Sequence, residues 1–184
     1  MNKRVLILHG LGGSDYPHWQ TMLAADLIKQ NATVSLPPLP KRDNPQLNEW
    51  KECLIKEVEH FNPDIVICHS LANILWFHTC EELDIQLEKL MLVAPVSKHR
   101  EVEAAKTFYP YKAPKNLKAK EIIMIASTND PYMTEEEAMQ LKEELEVEIQ
   151  IMKDAGHINS SSGFGSHDFA LEWLTKDENS KGYI

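Results

Sequence analysis

The stretch Asp64-Ile65-Val66-Ile67-Cys68-His69-Ser70-Leu71-Ala72-Asn73-Ile74-Leu75-Trp76 changes character at a single serine. Up to His69 it is a short, continuous apolar run rich in β-branched residues, the pattern of a strand covered on both faces. From Leu71 onward it reads as a helix. A strand that ends at a serine and turns at once into a helix has the layout of a nucleophile elbow. The sharp turn lifts the hydroxyl above the sheet, and the amide of the following residue, here Leu71, points into an oxyanion site. The G-x-S-x-G pattern is altered, because Cys68 and Ala72 stand at the glycine positions. Both are small, as a turn closed against its neighbouring strand and helix requires. Taken alone, Ser70 fits a helix N-cap equally well.

Working outward, similar apolar runs occur at 4–9, 33–37, 89–95, 121–127 and 147–152, with helix-period segments at 19–29, 46–60, 71–82, 135–145 and 169–175. The last strand alternates, as an edge strand does. Thr134 followed by Glu137 is a capping box, and Ala138, Leu141 and Leu145 then share one helical face. Alternating strands and helices predict a doubly wound parallel α/β sheet with its functional crevice at the carboxyl ends of the strands. Residues 96–118 fit less easily. A helix over 99–107 is expected there, broken by Tyr109-Pro110-Tyr111-Lys112-Ala113-Pro114 into a long loop. One domain over 1–175 is expected, and the polar stretch 176–184 reads as a frayed tail.

Composition narrows the function classes. With 19 Lys and Arg against 28 Asp and Glu, the net charge of −9 repels a phosphate backbone, so no nucleic-acid partner is expected. No apolar run approaches the ~20 residues of a membrane span. The run after Lys3-Arg4 is too short for the core of a signal peptide. Cys53, Cys68 and Cys80 are odd in number and lack CxxC spacing, which suits a reducing cytoplasm and suggests neither disulfides nor zinc. His9, His18 and His167 have no metal-ligand spacing, so no metal is expected.

Six of the seven glycines fall in two windows, Gly10, Gly12 and Gly13, and Gly156, Gly163 and Gly165, each directly after a predicted strand. Two such loops point to the rim of one crevice. The first lacks both the GxxxxGK[ST] pattern and GxGxxG spacing, so a nucleotide cofactor is not expected.

A serine hydroxyl becomes nucleophilic through a base, and the base needs a group to fix its tautomer. Asp130 follows the fifth strand in Thr128-Asn129-Asp130-Pro131, and His157 follows the sixth in Asp154-Ala155-Gly156-His157. The order Ser, Asp, His at successive strand ends is that of α/β-hydrolases. Asp154 also precedes His157, but three residues of separation make it hard for its carboxylate to reach the ring from behind. Cys68 sits on the strand two residues before Ser70 and reads as a packed small hydrophobe. A second oxyanion donor is expected from the loop after the first strand, at the amide of Leu11.

These residues resemble the small serine hydrolases related to retinoblastoma-binding protein nine and the bacterial YdeN-type proteins, across nearly the whole chain. The resemblance is carried by His9-Gly10, Gly13-Ser14, His18-Trp19, His69-Ser70 and Thr128-Asn129-Asp130-Pro131-Tyr132. Its most specific part is Gly156-His157-Ile158-Asn159-Ser160 with Ser162-Gly163-Phe164-Gly165. It implies a reduced α/β-hydrolase fold of six parallel strands in the order 2-1-3-4-5-6, with a triad of Ser70, Asp130 and His157. Trp19, His69, Tyr132 and Phe164 are then expected around a small-molecule acyl substrate, in an open site that needs no cofactor. The retinoblastoma-pocket motif L-x-C-x-E is missing: His78-x-Cys80-x-Glu82 lacks the leucine. A different function class also stays open, a binding module on the same fold with little turnover, because of Cys68 and Ala72 at the elbow.

Overall fold

In the computed structural model, which describes residues 1–176, the six apolar runs form one parallel sheet in the order β2-β1-β3-β4-β5-β6. The strands are β1 (Arg4–Leu8), β2 (Thr33–Ser35), β3 (Ile65–His69), β4 (Leu87–Val93), β5 (Ala119–Ser127) and β6 (Glu148–Met152). Side chains alternate between the two faces of a strand, so a central strand apolar at every position must be covered on both sides. That is the case for β1 beyond its exposed Arg4: Leu6 and Leu8 enter one buried cluster and Val5 and Ile7 another.

The first cluster packs α2 (Leu47–Phe61), α3 (Leu71–Thr79) and α4 (Glu135–Leu145), and the second packs α1 (Trp19–Lys29) and α5 (Asp168–Thr175). Helices therefore cover both faces of a single-domain sheet. The capping box of α4 forms as read: Thr134 accepts from the Glu137 amide, and the Glu137 carboxylate accepts from the Thr134 amide. Edge strand β6 alternates exposed and half-buried positions, whereas β3 is buried throughout.

Residues 96–118 depart from expectation. No α-helix forms over 99–107. Instead a 3-10 segment runs from Glu103 to Phe108, interrupted at Ala105, where φ is −123° and ψ is 23°. The stretch 98–101 is charged and offers no apolar stripe, and Pro110 disfavours helical geometry just beyond. Helix α3 also ends earlier than expected, at Thr79, and a 3-10 turn over Cys80–Glu82 completes it. The expected frayed tail, 177–184, lies outside the described residues, and Lys176 is the last of those described.

No helix among the described residues is long and apolar enough to cross a membrane.

Candidate active site

Strand order reverses between β1 and β3, so the loops leaving those strands diverge and open a crevice at their carboxyl ends. Ser70 sits there, between β3 and α3, with φ 56° and ψ −122°. A non-glycine residue in this region is strained by about 1–3 kcal/mol, and such strain persists only where surrounding bonds enforce it. The enforcing bonds are specific. The Ser70 amide donates to the Val93 carbonyl (2.9 Å), and the Asn73 amide donates to the Ser70 carbonyl (3.0 Å). Asn73 Nδ2 donates to the carbonyls of Ser70 (2.8 Å) and Val93 (2.9 Å), tying the elbow to β4. Ala72 and Cys68 are fully buried in the packing beneath it, so the elbow forms without the usual glycines. Burial pushes the Cys68 thiol well up, which suits packing rather than reactivity.

The loops after β5 and β6 bring a carboxylate and an imidazole to this serine. His157 Nδ1 lies 3.0 and 2.8 Å from the two Asp130 carboxylate oxygens, and His157 Nε2 lies 2.7 Å from Ser70 Oγ. A carboxylate only accepts, so Nδ1 carries the ring proton and Nε2 presents its lone pair to the serine hydroxyl. Asp130 is itself held, Oδ1 accepting from the Tyr132 amide at 2.8 Å. The two loops are joined by Asn129, whose Oδ1 accepts from the Gly156 amide (2.7 Å) and from Ser127 Oγ (2.9 Å). At Gly156, φ is 57° and a Cβ would lie 2.3 Å from Ser162 Cβ, so only glycine lets the loop turn there. The Asp154 carboxylate is turned elsewhere, Oδ1 accepting from Thr128 Oγ1 at 3.5 Å.

The loop after β1 presses against the serine from the other side. His9 Nε2 accepts from the Leu39 amide (2.9 Å), so Nδ1 is the protonated nitrogen and donates to the Gly10 carbonyl (2.8 Å). Burial lowers the His9 pKa and keeps this neutral form. Carbonyl and following amide point in opposite directions across one planar peptide, so fixing Gly10 C=O also fixes the Leu11 N–H. Arg42 secures the same loop. Its carbonyl accepts from the Gly12 amide (2.9 Å), and its guanidinium pairs with both Asp15 oxygens (2.7 and 2.6 Å). On the opposite side Leu71, as the first residue of α3, has an amide with no partner in its own helix.

Above Ser70 is a cavity of about 110 Å³, reached by Leu11, Leu71, Tyr132 and His157. Asn159, Val96, Val102 and Ala105 complete its walls; of these only Asn159 stands in a stretch singled out from the sequence. Three residues expected around substrate do not line it. Trp19 is fully buried, its indole N–H donating to the Ile158 carbonyl at 2.8 Å. His69 points to the opposite sheet face from Cys68, as alternation along β3 requires. There it packs against Trp19 and His18, with centroid distances of 5.8 and 5.1 Å. Its Nε2 donates to the His157 carbonyl at 3.1 Å, while burial, with the neighbouring His157 and His18, holds its pKa well below the usual value. Phe164 follows Gly163, whose φ of 75° turns the chain so that the ring meets Phe169 at 6.0 Å. Among the described residues, no group of three or more His, Cys, Asp or Glu is placed to hold a metal ion.

Sheet order, two-sided helical cover and a strained serine at the crevice define an α/β-hydrolase fold. Within that class the chain belongs to the serine hydrolase family, whose model matches residues 5–176. The ydeN gene product of Bacillus subtilis has the same fold, with a TM-score of 0.82 at 20% identity over 95% of this chain and 97% of that one. A hydrolase of Pectobacterium atrosepticum described as YdeN-like gives 0.74 at 24% identity over 94% and 89%. An esterase domain from a Rhodothermus marinus protein gives 0.67 at 12% identity over 94% and 84%. No curated protein matches the chain.

Proposed function

We propose that this hydrolase cleaves a small carboxylic ester through an acyl-enzyme, with Ser70, His157 and Asp130 as its triad. The observation that carries this reading is the unbroken run of short contacts from Asp130 through His157 to Ser70 Oγ. In the first half-reaction Ser70 Oγ attacks the acyl carbon while its proton passes to His157 Nε2. Asp130 holds the ring in the tautomer that can receive it and stabilises the imidazolium that forms. The amides of Leu11 and Leu71 are the donors assigned to the tetrahedral oxyanion. The carbon–oxygen bond then breaks, His157 protonates the departing alcohol, and the acyl group remains on Ser70. Water, deprotonated by His157, releases the acid and restores the serine. The free thiols of Cys53, Cys68 and Cys80 are the ground for placing the protein in the reducing cytoplasm.

A fluorophosphonate probe tests the assignment. The folded native protein is expected to be labelled, and Ser70→Ala to lose both labelling and ester hydrolysis while its circular dichroism is unchanged. A folded native protein that resists the probe, or a labelled Ser70→Ala variant, overturns the triad and favours a binding module.

A further inference from the structure

Two spaces meet at His157, and the second has more polar side chains along its wall than the first. One is the cavity of about 110 Å³, walled by the apolar side chains of Leu11, Leu71, Val96, Val102 and Ala105. The other is an open cleft of about 490 Å³ reached by Asn129, Asp154, Asn159, Ser161 and Ser162. Tyr132, His157 and Asn159 belong to both, and the Tyr132 ring stands edge-on against the His157 ring at 4.6 Å.

From this division, and resting on the esterase reading above, we infer the substrate class: a short acyl group, no longer than about four carbons, carried on an alcohol that itself bears hydroxyl groups. The chemistry decides which end goes where. The departing oxygen takes its proton from His157 Nε2, so the alcohol leaves on the imidazole side, and His157 is also a wall of the cleft that carries Asn129, Asn159, Ser161 and Ser162. The acyl carbon is bonded to Ser70 Oγ with its oxygen toward Leu11 and Leu71, which leaves the apolar walls for the acyl chain.

Volume sets the length. An apolar cavity of about 150 Å³ holds the six carbons of benzene, so one of 110 Å³ holds about four. The far wall is backed by the core and cannot easily recede. Tyr111 Oη donates to the Val96 carbonyl at 2.5 Å, Phe108 packs edge-on against Trp50 at 5.3 Å, and the Leu47 amide at the start of α2 donates to Thr107 Oγ1 at 3.1 Å. The short 3-10 segment that replaced the expected helix is thus the stop at the end of the acyl compartment.

The test uses p-nitrophenyl acetate, butyrate, hexanoate and octanoate, then ethyl butyrate against glyceryl monobutyrate. Across the first series kcat/KM is expected to peak at acetyl or butyryl and fall about tenfold or more by octanoyl, the scale at which an apolar pocket with a fixed far wall rejects extra methylenes. Val102→Ala should move the break toward longer chains. In the second comparison the glyceryl ester should be favoured by about fivefold, the worth of one or two net hydrogen bonds. Ser161→Trp, which fills the cleft, should reduce that preference. A profile that is flat or rises to octanoyl, or a Val102→Ala profile that does not move, overturns the acyl limit. Preference for the ethyl ester, or a glyceryl preference untouched by Ser161→Trp, overturns the alcohol assignment. Fluorophosphonate labelling of each protein separates these failures from failure of the esterase reading: labelled protein with the wrong profile refutes only the two compartments, and unlabelled native protein refutes both.

Discussion

Gly10 has no room for a side chain, since a Cβ there would lie 2.6 Å from Ser70 Cβ and 3.1 Å from Ser70 Oγ. Its neighbour across that gap is a strained serine locked by four hydrogen bonds, so the loop rather than the elbow must yield. Gly10→Ala is expected to fold with about 1–3 kcal/mol less stability, the usual cost of overpacking, and to lose most of its esterase activity. Urea denaturation with p-nitrophenyl acetate turnover measures both. Asp130 can be probed without disturbing shape. In Asp130→Asn the side-chain oxygen can still accept from the Tyr132 amide, but the amide group no longer enforces the Nδ1–H tautomer of His157. A fall of about 10³ to 10⁴ in kcat with little change in melting temperature is expected, and undiminished kcat would remove Asp130 from the proposed triad. At this scale the sequence was most informative where one residue type alone satisfies a backbone constraint, as at Gly10 and Gly156. It was least informative for side-chain direction: Trp19 and Phe164 lie near the site in sequence context, yet both turn into the α1 and α5 side of the core.

The elbow depends on how α3 is fastened to β4. Asn73 is buried in the first turn of the helix, and its Nδ2 spans the carbonyls of Ser70 and Val93, while its Oδ1 has no partner among the described residues. Each neutral hydrogen bond contributes about 1 kcal/mol net. Asn73→Ala should therefore cost about 2 kcal/mol in urea denaturation and lower kcat more than it raises KM, because the serine relaxes toward ordinary backbone angles. A variant with native stability and native kcat would show that Asn73 does not hold the strain. Helices and strands were legible at this scale because each buries a regular stripe or a continuous apolar run. The segment 96–108 was less so: it reads as a helix over 99–107 because Val102, Ala105 and Phe108 recur every three residues, a spacing that a 3-10 turn shares with one face of an α-helix.

The whole molecule keeps several histidines buried and neutral. His9 and His69 have lowered pKa values, and burial, with the neighbouring His157 and His9, brings His18 down to about 4. For His18 the unfolded chain binds a proton below about 6.5, while the folded protein resists protonation until about 4. The unfolded state thus holds more protons throughout that window, and stability falls as pH drops from about 6.5 to 4. The lowered carboxylates Asp15, Asp26 and Glu137 lose their contributions only at lower pH, as they protonate in the folded state. Urea midpoints at pH 7.0, 5.5 and 4.5 should decline in that order, and His18→Gln should flatten the decline; a midpoint constant over this range would contradict the buried neutral state. The sequence by itself determined the strand and helix order, the two glycine loops and the serine, aspartate and histidine at strand ends, since burial on both faces and restricted turns leave local marks in residue choice. Only the tertiary structure decided that a carboxylate after β5 and an imidazole after β6 reach across β4 to a serine after β3. It alone decided, too, which side chains wall the cavity, because distance across a sheet and the direction of a loop side chain are set by packing between segments far apart in the chain.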